Sequence, residues 1–378
     1  MAAHSYTSRC FAVGQVFDLI LGRGGWSGHR TDLRPSLLFV IAALSLVAPL
    51  FAADASPAGH VAPKPLFRDP VFDGAADPTI VYDRAEKKWL MFYTNRRANV
   101  PGLTAVTWVH GTPIGIAESA DGAEWSYRGT VEFPKDIPGT DVEIPTYWAP
   151  CVLEHAGTYH MFVTIVPGVF TDWNHPRNIV HLTSPDLKKW KYENTLPLVT
   201  DKVIDPCVLR LPDGTWRMWY NNERAGKSAF YADSPDLYQW TDEGSAHLPK
   251  DRGEAPLAFV WKGHTWLLID LLGNIGLGAY RSDDALTWER QPASLLDKPG
   301  TGADDQNGGH HPEVIVSGER AFLFYFVHPG VAADGSGARD MKRSSIQVTE
   351  LKLGADGWLT CDRDAPTRIV LTPPAKEK

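Results

Sequence analysis

Cysteine is scarce. The 378 residues contain four, too few and too irregular for a disulfide framework. Cys10 lies near the N-terminus and Cys361 stands alone near the C-terminus. Cys151 and Cys207 each follow a proline in a repeated phrase, where a buried strand residue is expected. Free thiols are the expectation there, with a Cys151–Cys207 bridge as the alternative, since like positions on neighbouring units need not come within bridging reach. No basic stripe appears either. Lys and Arg number 37 against 45 Asp and Glu, a formal charge of −8, which argues against nucleic acid as a partner. No helical period of useful length is present. Apolar content of 43% and charged content of 22% are ordinary for a soluble globular chain, long enough for one large domain or two smaller ones. Tryptophan is abundant at fourteen, but it serves both as a core residue and as a flat stacking surface, so the count alone decides little.

Only one run is apolar enough to concern a membrane. Residues 36–52 follow Arg30 and Arg34 and precede the small residues Ala52, Ala53 and Ala55. This reads as a secretory signal segment (about 33–53) cleaved near Ala52 or Ala53, and implies a secreted or periplasmic product. A membrane anchor is the weaker reading, because the run is short and Pro49 interrupts it. Residues 1–32 fit neither a signal nor a fold; a start codon placed too far upstream is the expectation for them. The expected organisation is a leader over 1–53, a flexible Ala/Pro/Ser-rich tether over 54–65 and one catalytic domain over 66–375, with no membrane contact after cleavage.

From residue 66 onward the chain repeats. Gly74-Ala75-Ala76-Asp77-Pro78-Thr79-Ile80-Val81-Tyr82 sets a phrase in which a polar slot and a proline precede an apolar run. It recurs at Trp148-Ala149-Pro150, Ile204-Asp205-Pro206, Glu254-Ala255-Pro256 and His310-His311-Pro312. Each copy is followed by an aromatic run, at 89–93, 159–163, 216–220, 266–269 and 322–326, that suits a strand buried on both faces. A third element ends in Ser, one residue, Asp, three residues, Trp: Ser119/Asp121/Trp125, Ser184/Asp186/Trp190, Ser234/Asp236/Trp240 and Ser282/Asp284/Trp288. Asp356-Gly357-Trp358 is a degenerate fifth copy. So even a signature is structural: Asp and Ser bond the backbone of a tight turn, and Trp plugs the space between units.

Five such units predict an all-β, five-bladed β-propeller, with blades near 76–132, 148–197, 204–246, 253–293 and 310–365 and with residues 66–75 completing or closing the ring. In that architecture the starts of the inner strands converge on the axis. Asp77, Asp205 and Glu254, far apart in sequence, then share one central pocket. Two carboxyl groups flanking a glycosidic bond, one ionised and one protonated, suffice to hydrolyse it, and a third acid tunes its neighbour's proton affinity.

On these residues the chain resembles the five-bladed propeller glycoside hydrolases of family 43 and its relatives, including family 117. The resemblance spans about residues 70–365. It implies that Asp77 in Asp77-Pro78 is the base, Asp205 in Ile204-Asp205-Pro206 the modulator and Glu254 in Glu254-Ala255-Pro256 the acid. The stretch from Trp261 to Ser282 and the opening Gly309-His310-His311 are similar to family 117, in which a fifth-blade histidine donates the proton. The acid therefore remains open between Glu254 and His310 or His311, since a histidine also serves near neutral pH. The histidine pair has two further readings, substrate hydrogen bonding and a water or calcium ion near the axis. No cofactor is required by this chemistry, and calcium or magnesium near the axis is the one ion the resemblance suggests.

Arg96, Arg97, Trp108 and His110 belong to a long segment after the second strand of blade one, placed to roof the pocket. With Trp148, Arg281 and His328 they are the candidate substrate contacts. The expected function is an exported, inverting glycoside hydrolase acting on terminal or internal bonds of an oligosaccharide or polysaccharide: plant or algal arabinofuranosides, xylosides or anhydrogalactosides. A non-catalytic carbohydrate-binding propeller is one alternative. A glycoside phosphorylase is another, for which Arg96, Arg97 and Arg281 have to gather around phosphate.

Overall fold

The computed structural model describes residues 59–249, 251–273, 275–329 and 342–375; the expected leader and signal segment lie outside them. Five four-stranded antiparallel sheets follow one another along the chain, each made of four consecutive strands. The inner strands are Ala75–Asp83, Thr146–His155, Val203–Arg210, Gly253–Trp261 and His310–Ser317. This is the all-β five-bladed propeller that the repeats predict. The aromatic runs form the second strands, such as Lys88–Asn95 and Trp216–Asn222, and these are buried along almost their whole length. Being covered by a blade on each side, they carry apolar residues without alternation.

The tether needs correction over its last residues. His60–Val61 pairs antiparallel with Arg368–Ile369, and the Ala62 amide donates to the Thr367 carbonyl. Ala62, Leu66 and Phe67 are buried with Ile369 and Leu371 between blades five and one. Apolar side chains with a strand edge to pair against do not stay free. Residues 66–74 close the ring by packing rather than by adding a strand: Phe67 and Ile346 exchange both backbone hydrogen bonds, at 3.2 and 2.9 Å.

The Ser-x-Asp-x-x-x-Trp signature is structural, as expected. Asp236 Oδ1 accepts the amides of Tyr238 and Gln239, at 2.9 and 2.8 Å. Leu237 between them has φ 70°. The tryptophan then packs on an aromatic ring of the preceding blade: Trp190 on Phe92, Trp240 on Phe162, Trp288 on Trp219 and Trp358 on Trp266. Ring centroids lie 5.5–6.3 Å apart in T-shaped or edge contacts, the favoured geometry for such pairs.

At the hub every inner strand carries the same irregularity. The register shifts by one residue across the proline, between Ala76 and Thr79 in blade one and at the matching place in the other four. The residue before proline is left-handed in all five: Asp77, Ala149, Asp205, Ala255 and His311 have φ of 52°, 44°, 59°, 51° and 43°. A non-glycine residue there costs about 1–2 kcal/mol, and a bulge of this kind re-aims a side chain. The pre-proline slot is thereby turned toward the axis. Side chains of the preceding blade secure it: Thr94 Oγ1 accepts the Ala149 amide at 2.8 Å, Thr164 Oγ1 that of Asp205 at 3.3 Å, Asp205 Oδ2 that of Ala255 at 3.0 Å, and Asp270 Oδ2 that of His311 at 3.2 Å. Cys151 and Cys207 are free thiols, and each sulfur accepts an amide from the next blade.

Candidate active site

The five bulges open onto one cavity of about 630 Å³. Asp77, Asp205 and Glu254 all line it, so three acids from three blades do meet. Asp77 is almost wholly buried. Burial alone pushes its carboxyl upward, but Arg96 and His311, with hydrogen bonds from Thr94 and Arg96, outweigh burial and hold it below the usual carboxylate range. Arg96 Nη2 donates to Asp77 Oδ1 at 3.0 Å, and His311 Nδ1 lies 3.3 Å from the same oxygen. Asp77 is therefore a carboxylate at neutral pH, as a base requires.

Asp205 is the opposite case. Burial, together with the charges of Glu254 and Asp77, raises it well above the ordinary aspartate value. One oxygen accepts the Ala255 amide, and the burial and neighbouring charges favour the protonated carboxyl. The two environments push these neighbouring carboxyls apart, Asp77 toward the ionised form and Asp205 toward the protonated one. Glu254 is more open, with its side chain 34% exposed, and it accepts from Lys227 Nζ at 2.5 Å. Lys227 also approaches Glu223, which is itself 2.6 Å from Arg177 Nε.

The histidines divide. His310 lines the cavity with Nδ1 3.1 Å from Asp270 Oδ2, stacked on Phe326. His311 lies against Asp77. His328 borders the cavity beside Arg96, and burial lowers it to about 3, so it is neutral. Among the described residues no group of three or more His, Cys, Asp or Glu side chains is arranged to hold a metal ion.

Of the other candidates, Arg96, Trp108 and Trp148 line the cavity. Three do not reach it. His110 is fully buried behind Trp148, with Nε2 3.0 Å from His175 Nε2 and ring centroids 5.2 Å from Trp148; it braces the wall rather than touching a sugar. Arg97 turns back to the Thr107 carbonyl at 2.7 Å. Arg281 sits on an outer strand of blade four, bonded to Glu289 and stacked on Trp358. Without Arg97 and Arg281, the arginine cluster proposed for phosphate does not form.

Asp270, Arg177, Lys202, Glu223, Lys227 and Trp173 also line the cavity and are not evident from motifs. For Asp270 a signal exists. Thr94, Thr164, Asn221, Asp270 and Phe326 pair with the residue two before proline in the five blades. Aligning the second strands as well as the first exposes this position and its one acid. Arg177, Lys202, Glu223 and Lys227 come from inter-strand segments or strand edges with no fixed spacing.

A propeller with a carboxylate, a protonated carboxyl and a third acid at its axis, walled by tryptophan, is the site of a carbohydrate-cleaving enzyme. The chain belongs to glycosyl hydrolases family 43, whose family model matches residues 67–359, and it is a glycoside hydrolase. Solved structures share the fold. CoXyl43, a β-xylosidase/α-arabinofuranosidase from a compost microbial metagenome, superposes with a TM-score of 0.57 at 16% identity, covering 80% of this chain and 98% of its own. The xylan β-1,4-xylosidase of Bacillus halodurans C-125 gives 0.58 at 16%, covering 82% and 61%. A GH43_1 enzyme of Xanthomonas citri complexed with xylose gives 0.54 at 15%, covering 76% and 89%. No curated protein matches the chain.

Proposed function

We propose that the enzyme is exported and hydrolyses plant or algal glycosides with inversion. The observation that carries this reading is the meeting of Asp77, Asp205 and Glu254 in one cavity, with Asp77 ionised and Asp205 protonated. Asp77, oriented by Arg96 and His311, draws the proton from a water as that water attacks the anomeric carbon. Glu254, on the facing strand of blade four, gives a proton to the departing oxygen. Asp205 holds its own proton and, through the Ala255 amide, sets the backbone next to Glu254. Trp108, Trp148 and Trp173 offer faces on which sugar rings stack. Export rests on the apolar run 36–52 behind Arg30 and Arg34.

A second reading concerns the acid alone. Lys227 Nζ occupies one oxygen of Glu254 at 2.5 Å, whereas His310 lines the cavity with its Nδ1 3.1 Å from Asp270. His310 is then the donor and Glu254 a substrate contact.

The test is a panel of aryl arabinofuranosides, xylosides and galactosides with agar and carrageenan oligosaccharides, run with Asp77→Asn beside the wild type. The expected result is release of reducing sugar without added phosphate, first appearing as the inverted anomer, and abolished by Asp77→Asn. Turnover that requires phosphate, or an initial product of retained configuration, overturns the mechanism.

A further inference from the structure

The cavity is electrically lopsided. On the side of blades one, four and five stand Asp77, Asp270 and Glu254 against one cation, Arg96, with His328 neutral. On the side of blades two and three stand Arg177, Lys202 and Lys227 against Glu223 and Asp205. Two of these cations, with Glu223 and Glu254, form one alternating line. Arg177 Nε is 2.6 Å from Glu223, Lys227 is 3.9 Å from Glu223 and 2.5 Å from Glu254, which leaves Lys202 over. Among the described residues Lys202 makes no ion pair, and it is half-buried at the cavity wall.

Lys202 is not placed there by a mobile loop. It bridges the backbone of Arg177: the Arg177 amide donates to the Asp201 carbonyl at 2.8 Å, and the Val203 amide donates to the Arg177 carbonyl at 3.2 Å. Arg177 itself is completely buried, at 0% exposure. Its Nη2 donates to the Trp173 carbonyl at 2.8 Å, its guanidinium lies 5.4 Å over Trp148, and its Nη1 has no hydrogen-bond partner among the described residues. A buried guanidinium nitrogen without an acceptor is costly unless a ligand supplies one. The half-buried Lys202, without an ion pair and on the backbone ladder beside it, completes a subsite for a sugar that carries a negative charge.

We propose that Lys202 and Arg177 form an anion-recognising subsite, and that the preferred substrate is a glycoside bearing a carboxylate or a sulfate. This rests on the reading of the cavity as a hydrolytic site and adds the chemical class of what it hydrolyses. The anionic substituent takes the place that Glu223 only half fills, since Glu223 is already shared between Arg177 and Lys227. Lysine and arginine at one oxyanion give charge-assisted hydrogen bonds, the arginine adding direction and the lysine a point charge.

The test separates this subsite from the catalytic reading. Matched pairs are compared by kcat/KM: aryl β-D-xyloside with aryl β-D-glucuronide, which differ by the C5 carboxylate, and neutral with sulfated galacto-oligosaccharides. A charged member is expected to be favoured by about tenfold or more, with the ratio falling as salt is raised, and Lys202→Gln is expected to bring the ratio toward one. Calorimetry of sodium glucuronate, a sulfated galactose and inorganic phosphate against wild type and Lys202→Gln reads binding without chemistry. Tighter binding of either sugar acid by the wild type supports the subsite even where no glycoside is cleaved, and identifies which oxyanion it takes. Neutral glycosides turned over at least as well as all charged partners, with no difference between wild type and Lys202→Gln, overturn it. Binding of phosphate alone, with phosphate-dependent turnover, also overturns it in favour of phosphorolysis.

Discussion

Lys227 Nζ stands 2.5 Å from Glu254 Oε2. Burial weakens the ammonium, yet Glu254 holds Lys227 above its ordinary value, so Lys227 is a cation beside the Glu254 oxygen across the neutral range. A general acid needs its proton before the bond breaks, and this lysine competes for the oxygen that must carry it. A sugar entering between them, or protons from solution, must loosen the pair for Glu254 to act. Lys227→Met therefore moves the alkaline limb of the kcat/KM profile if Glu254 is the acid, because the cation beside its donor oxygen is gone. Glu254→Gln lowers kcat by about 10²–10⁴-fold on the same premise. A Glu254→Gln enzyme with near-normal rate, and a His310→Gln enzyme without activity, transfer the role to the imidazole that Asp270 supports.

Asp77 is held low by a guanidinium and an imidazole against the pull of burial. Its ionised form is thus retained as pH falls into the range where an ordinary aspartate protonates. The acid limb of kcat/KM is expected to lie below the usual aspartate value near 3.9. Arg96→Met removes the guanidinium that opposes burial, and moves this limb upward by about one pH unit or more. The profile of the neutral-substrate reaction in the two proteins checks it; an unmoved limb shows that Asp77 is not the group being titrated.

The blades and their order were legible because each repeat states its own turn chemistry. Ser234, Asp236 and Trp240 specify a turn and a plug by local bonds, and local bonds are what a spacing records. Asp77 and Asp205 were legible for a related reason. A left-handed, bulged slot before proline tolerates aspartate well, so the side chain aimed at the axis could be read from the proline beside it. Arg177, Lys202 and Lys227 were not legible. They reach the cavity from segments between strands, and only the packing of blade two on blade three decides which of many surface cations points inward. His110 failed for the converse reason: the long segment after blade one folds its histidine under Trp148, where His175 offers a partner that no spacing announces.

The stability of the ring should fall in mild acid. His160 Nδ1 and His181 Nε2 lie 2.9 Å apart in the body of blade two, against Tyr238 of blade three. Burial lowers His160 to about 4 and His181 to about 3. Unfolded, both take protons near pH 6.5; folded, they stay neutral until pH falls to those values. Between about pH 6.5 and 4 the unfolded chain binds more protons, so stability declines as pH drops, by about 1.4 kcal/mol per pH unit for each histidine. Urea midpoints taken from pH 7 to 4.5 check this. In a His160→Phe/His181→Phe double variant the slope should flatten by roughly twice that amount, and an unchanged slope assigns the acid sensitivity elsewhere.

The signature tryptophans join neighbouring blades by ring-to-ring contact. Trp240 is buried, donates Nε1–H to the Leu237 carbonyl at 2.8 Å, and meets Phe162 of the preceding blade at 5.5 Å between centroids. Trp240→Ala removes the plug between blades two and three and leaves a cavity that β-strands cannot collapse to fill. The expected loss is about 3–5 kcal/mol, seen as a lower urea midpoint. Blades two and three also carry Thr164 and Asp205, whose backbone bond at 3.3 Å fixes the slot of the protonated acid. A loosened wedge should therefore lower kcat modestly in the folded enzyme while the two limbs of its pH profile stay in place, because no charge near Asp77 or Glu254 has been altered. A displaced acid limb in Trp240→Ala instead shows that the wedge reaches the hub directly.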